Sequence, residues 1–218
     1  ANCDDLIALF SQKFDPSTED ISALKRITKV LVNKKCTNSD LFFNASSRLH
    51  ELDPSAASAD QMSKMSVSKG KSSDAIAFSK DAVELESDVR KKAKYYLGLA
   101  DAYRSAGSFA SARSTVYSAL ELRNGWGEAY MNLGNIYVAG AKSCGNDFDN
   151  STVYWVAVDA FKKARSDEET KERASKSINT YSKYFPTKEN CFFNGITAGS
   201  KHTVSCWINK TTTVRTSD

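Results

Sequence analysis

An all-α chain of stacked antiparallel helix pairs, closed by a short carboxy-terminal β-hairpin, is what this sequence predicts, on three observations. First, similar segments recur 34 residues apart. Tyr95–Tyr103 reads Tyr-Tyr-Leu-Gly-Leu-Ala-Asp-Ala-Tyr and Tyr130–Tyr137 reads Tyr-Met-Asn-Leu-Gly-Asn-Ile-Tyr, so Tyr103 falls on Tyr137, Leu99 on Leu133 and Ala100 on Gly134. Second, a small–large–small pattern at spacings of four and three follows each of them: Ala112, Val116, Ala119, then Ala157, Phe161, Ala164, with a weaker copy at Ala75, Ser79, Ala82. Helices that cross closely need a small residue at the crossing and a large one to fill the gap beside it. Third, the only three prolines follow similar tails, Phe-Asp-Pro16, Leu-Asp-Pro54 and Tyr-Phe-Pro186. Proline lacks the backbone N–H and clashes with the preceding turn, so each marks a helix end.

Composition narrows the class. Of 218 residues, 41% are hydrophobic and 26% charged, ordinary for a globular protein. No apolar run approaches the ~20 residues of a membrane-spanning helix. The net charge of +4 comes from 30 basic and 26 acidic residues spread along the chain, without the concentrated basic face of a nucleic-acid binder.

In chain order, Asp4–Phe14 is expected as one helix, the second half of a pair whose first half lies upstream. Residues 17–55 form a divergent pair, and 56–92 a degenerate one, with Met62 and Met65 in place of the usual large residues and Ser79 in place of an aromatic. Residues 93–126 are the best unit, turning at Gly107, and 127–171 the next, with extra residues from Ala141 to Thr152 between its helices. A last helix over 167–185 carries Ile178, Tyr181 and Phe185 as its apolar stripe. The expected organisation is a helical repeat domain over 1–186 and a hairpin segment over 187–218.

The Leu-Gly/Leu-Ala and Tyr positions of the first helices and the alanine pattern of the second resemble the tetratricopeptide (TPR) family. The resemblance implies a right-handed α-α superhelix that binds a protein or peptide partner, is not an enzyme and needs no cofactor. In that family the first helix of each unit, helix A, offers its second, fifth, ninth and twelfth positions to the ligand on a concave face. Here these are Lys94, Leu97, Asp101 and Arg104, then Glu128, Met131, Asn135 and Val138, with Asp60, Lys64 and Val67 continuing upstream. Chaperone-binding members clamp a terminal carboxylate with Lys, Asn and Arg. Asn132 and Asn135 are kept, but Met131 stands where Lys is expected, which argues against that clamp.

After Pro186 the apolar period changes to two. Cys191–Ile196 and Lys201–Cys206 flank a four-residue turn containing Gly199. With Ile196 opposite Lys201, Cys191 faces Cys206, and the β-prone Thr211–Thr216 is available as a third strand. Five cysteines are present, without Cys-x-x-Cys or zinc-ligand spacing. Antiparallel first helices bring Cys3 to Cys36, and the hairpin register brings Cys191 to Cys206, leaving Cys144. The competing pairing joins Cys144 to a hairpin cysteine, and five reduced thiols are the third possibility. Disulfides imply an oxidising compartment, hence an exported protein.

The carboxy-terminal stretch, with Phe-Pro-x-Lys-Glu-x-Cys-Phe-Phe at 185–193, Cys206-Trp-Ile-Asn and Thr212-Thr-Val-Arg, together with Cys144-Gly145 and Val153-Tyr-Trp155, resembles exported repeat proteins of Bacteroidetes-type bacteria. That resemblance, strongest over residues 90–216, implies a periplasmic or surface-facing protein and no particular activity. A structural segment of a larger envelope assembly is the alternative role. A redox role for Cys144 rests only on its being the leftover thiol. Asp147 and Asp149 are two carboxylates short of a calcium ligand set, and Asn44, Asn150 and Asn209 head Asn-x-Ser/Thr sequences.

Overall fold

The structure, a computed structural model, describes residues 2–217. The chain divides into two compact units, Ala1–Gly98 and Leu99–Asp218, so the carboxy-terminal segment falls inside the second unit. The boundary lies within one helix, α6 (Val89–Ser105).

The first unit contains α1 (Cys3–Ser11), α2 (Ile21–Asn33), α3 (Asp40–Leu52), α4 (Ala56–Ser68) and α5 (Ser72–Leu85). Side-chain caps start four of them: Asn2, Asp20, Ser39 and Ser55 each accept a backbone N–H three residues on, satisfying donors that the first turn leaves free. Leu24, Ile27 and Leu31 of α2 pack with Leu41, Phe42 and Ala45 of α3 and with Met62 and Met65 of α4, and α1 covers this core with Leu6, Ile7 and Phe10. A Cys3–Cys36 disulfide joins the start of α1 to the residues after α2. The degenerate unit has its own solution at Ser79. This hydroxyl is buried and hydrogen-bonds Ser63 across the α4–α5 pair, so a satisfied polar contact stands where the other units use a large apolar side chain.

The second unit holds the end of α6, then α7 (Phe109–Leu122), α8 (Gly127–Gly140), a 3-10 turn (Ala141–Ser143), α9 (Asp147–Ala164), α10 (Lys171–Tyr181), a second 3-10 turn (Ser182–Tyr184), α11 (Lys188–Phe193), β1 (Lys201–Val204) and β2 (Lys210–Thr213). Gly107 makes the turn into α7 with φ +73°, where a side chain would be strained. Ala112, Val116, Ala119, Ala157, Phe161 and Ala164 are all completely buried. At the α8–α9 crossing, a Cβ built on Gly134 would lie 2.4 Å from the Phe161 ring, so the glycine is the hole that the phenylalanine fills. The extra residues before Thr152 do not form a long loop. Asn146 and Asp149 build a capping box, and α9 simply begins early and runs for 18 residues.

The hairpin differs from the sequence expectation. Cys191–Ile196 is not a strand: Cys191, Phe192 and Phe193 lie in α11, whose first turn is capped by Thr187 accepting the Asn190 N–H at 3.1 Å. A local cap after Pro186 here overrides the apolar alternation. Lys201–Val204 instead pairs antiparallel with Lys210–Thr213, Lys201 opposite Thr213 and Val204 opposite Lys210. The threonine stretch is thus the second strand rather than a third. The cysteine pairing changes with it. Cys206 joins Cys144, not Cys191, and Cys191 is a buried free thiol. With Cys191 held in a helix, no strand presents it to Cys206, and the bridge forms to the turn that precedes α9.

This carboxy-terminal segment is bound to the helices. The Trp155 indole N–H donates to the Arg215 carbonyl at 2.6 Å, the Arg215 guanidinium donates to the Trp155 carbonyl at 2.6 Å, and it pairs with Asp159 at 2.9 Å. Trp207 stacks on Tyr137 and lies tilted against Phe109, its ring entering space that Gly140 leaves by having no Cβ.

Candidate functional site

The first helices of successive units in the second half of the chain are joined side by side through polar groups. Asp101 of α6 accepts from the Asn132 amide of α8 at 3.1 Å and from the Arg104 guanidinium at 3.1 Å. Glu128 of α8 accepts from Arg173 of α10 at 3.3 Å, and this carboxylate pushes the guanidinium pKa further up. A row of charged and amide side chains therefore crosses three helices, with a basic, an acidic and an amide member within reach of one another. Asn135, one turn beyond Asn132, is exposed, and Val138 is half-buried beside it. The Asn132 Oδ1 is buried and has no hydrogen-bond partner among the described residues, leaving one acceptor of the row unused.

Of the eight residues expected on the ligand face, Asp101, Arg104 and Glu128 take part in these polar contacts, while Asn135 and, on α6, Lys94 are exposed. Leu97 and Met131, the equivalent positions of consecutive units, are buried, with 7% exposure each. They are core residues and not part of an accessible surface. Apolar side chains there are packing, which is also why no Lys stands at Met131. Upstream, in the first unit, Asp60 pairs with Lys64 and Val67 is half-buried.

The thiol reading of Cys144 is overturned by its bridge to Cys206. Asp149 is occupied as a helix cap, its carboxylate accepting the Asn146 N–H. Among the described residues no group of three or more His, Cys, Asp or Glu side chains gathers in a metal-binding arrangement, and no helix is long and apolar enough to cross a membrane. His50 is a packing residue, its Nδ1 2.8 Å from the Ser58 hydroxyl and its ring edge-on to Phe78.

A second concavity was not visible in the sequence. A cleft of about 550 Å³ opens between α7, α8, α9 and β2, lined by Tyr117, Leu120, Tyr130, Leu133, Lys163 and Lys210 among others. Its members come from four elements and share no local motif. The one signal available was Tyr117, an aromatic residue on the polar side of the α7 pattern.

Helix pairs with buried small–large–small seams and first helices linked edge to edge define a tetratricopeptide-type helical repeat fold, here with a two-stranded carboxy-terminal hairpin. Among solved structures the chain is similar to MamA, a TPR-repeat protein. One crystal structure of MamA aligns with a TM-score of 0.56 at 20% identity over 78% of this chain and 91% of that one. Another aligns with a TM-score of 0.53 at 21% identity over 71% and 76%. At such identity the likeness speaks to fold alone. No protein-family model matches the sequence, and the search of curated proteins finds no match.

Proposed function

We propose that this protein is a non-catalytic interaction scaffold that docks a protein or peptide partner on the polar helix-A row of its second unit. The observation that carries this reading is the Asp101–Arg104–Asn132 cluster with Glu128–Arg173 beside it. Donors and acceptors of both signs on rigid helices suit the backbone amides and polar side chains of an extended segment. Asn135 and Val138 extend the same face. Two disulfides support an oxidising destination outside the cytoplasm, and the resemblance to exported Bacteroidetes-type repeat proteins favours the periplasm or cell surface.

The test is joint substitution of Asp101→Ala, Arg104→Ala and Asn135→Ala. The wild-type chain captures a partner from native envelope extract; the triple variant loses it with an unchanged circular dichroism spectrum. Capture retained by the variant removes this face from the reading. A second reading, a segment of a larger envelope assembly, draws on Phe192 and Phe193, adjacent and 78% and 74% exposed. It predicts self-association or co-sedimentation with envelope fragments that Phe192→Ser with Phe193→Ser abolishes.

A further inference from the structure

The cleft between α7, α8, α9 and β2 lies apart from the polar row and has a chemistry of its own. Its floor is apolar, made by Leu120, Leu133 and Ala160. Two ammonium groups stand over it. Lys163 lies 5.3 Å from the centre of the Tyr130 ring and Lys210 lies 6.0 Å from that of Tyr137. Neither lysine takes part in an ion pair among the described residues, although Glu121 also lines the wall and Arg215, Arg173 and Arg104 in the same unit are all paired. Behind Lys210 lies the fully buried Tyr137, whose pKa is pushed up by burial and by the neighbouring Tyr117 hydroxyl. Tyr117 adds an exposed aromatic wall. A concave space of this size, its apolar floor walled by polar and charged side chains, can accommodate a small molecule with one apolar and one charged end.

We propose that this cleft binds a small amphipathic carboxylate, its apolar body on Leu120, Leu133 and Ala160 and its anionic group between Lys163 and Lys210. Lys163 lies over the Tyr130 ring and Lys210 near that of Tyr137, and a carboxylate supplies the ion-pair partner that neither lysine finds among the described residues, Glu121 included. Both the apolar surface and the charge are needed, so neither an alcohol of the same chain length nor a short acid replaces the ligand.

The experiment uses the full chain with its disulfides intact and three probes: octanoate, octanol and acetate. Octanoate is expected to shift the amide resonances of Leu120, Leu133 and Ala160 and to bind about tenfold or more tighter than octanol, which lacks the charge-assisted contact, and than acetate, which lacks the buried alkyl chain. Lys163→Met and Lys210→Met each retain the aliphatic stem and lose the charge; each is expected to weaken octanoate about tenfold and leave octanol unchanged. Because Lys210 lies in β2, Lys163→Met on the exposed side of α9 carries the test if the other variant does not fold. Octanoate binding no tighter than octanol, equal binding by Lys163→Met, or no resonance shift at about 10 mM octanoate overturns the proposal.

Discussion

Gly134 and Phe161 show how tightly single residues are specified. The ring occupies the space in which any Cβ on residue 134 would sit, and Phe161 is itself completely buried. Gly134→Ala forces either the helix or the ring to move, and overpacking of this kind costs about 1–3 kcal/mol. A lowered denaturant midpoint with an unchanged slope is the expected signature. Ala157→Leu, at a completely buried seam position, should cost a similar amount, ~1–3 kcal/mol. Cys191 gives a chemical test at the same scale. It is buried and free, and desolvation raises its thiol pKa, so at neutral pH the reactive thiolate is scarcer than for an exposed cysteine. Iodoacetamide should leave the native protein unlabelled and, in denaturant without reductant, label Cys191 alone. Labelling of Cys144 or Cys206 in that second experiment would contradict their bridge.

At the scale of elements, the carboxy-terminal segment is the most informative. It is short of structure of its own, with two four-residue strands, and an isolated hairpin is marginal in water. Its stability comes from α9, through Trp155, Asp159 and Arg215, and from the ring stack of Trp207 on Tyr137. The Cys144–Cys206 bridge closes a loop with a sequence separation of 62. The chain-entropy model assigns such a cross-link roughly 4 kcal/mol. Cys144→Ser with Cys206→Ser should lower the stability of the second unit by up to that amount, read as increased proteolysis after β2 and a reduced denaturation midpoint. The helices of the repeat were legible because their apolar pattern recurs 34 residues apart and small–large–small seams mark the second helices. Cys191–Phe193 was not, because an apolar alternation of six residues is equally a short helix when Thr187 caps it. The choice falls to Thr187, a local cap that a reading by apolar period does not register.

For the molecule as a whole, one disulfide lies in each compact unit, Cys3–Cys36 in the first and Cys144–Cys206 in the second. Non-reducing peptide mapping should therefore find no cross-link between residues before 98 and residues after it. Production in a reducing cytosol should yield a less stable protein than export into an oxidising compartment, with denaturation midpoints of the reduced and oxidised forms as the comparison. Counting positions along the repeat selected Asp101, Arg104, Glu128 and Asn135, which are accessible or half-buried, but also Leu97 and Met131, which are buried. The lysine and tyrosine cleft was not legible, since Tyr117, Tyr130, Lys163 and Lys210 meet only when three helices and a strand are assembled.

By itself the sequence determined the repeat, the helix pairs and their seams of alanine, and it offered Cys3–Cys36 as one pairing that the structure contains, because periodicity and close helix crossing act between residues near in the chain or one unit apart. Tertiary structure alone decided which cysteine meets Cys206, which stretch pairs with Lys201–Val204 and which apolar positions face solvent. Those outcomes depend on surfaces contributed by distant elements, and no local pattern encodes which of several compatible partners buries the most and leaves the fewest polar groups unpaired.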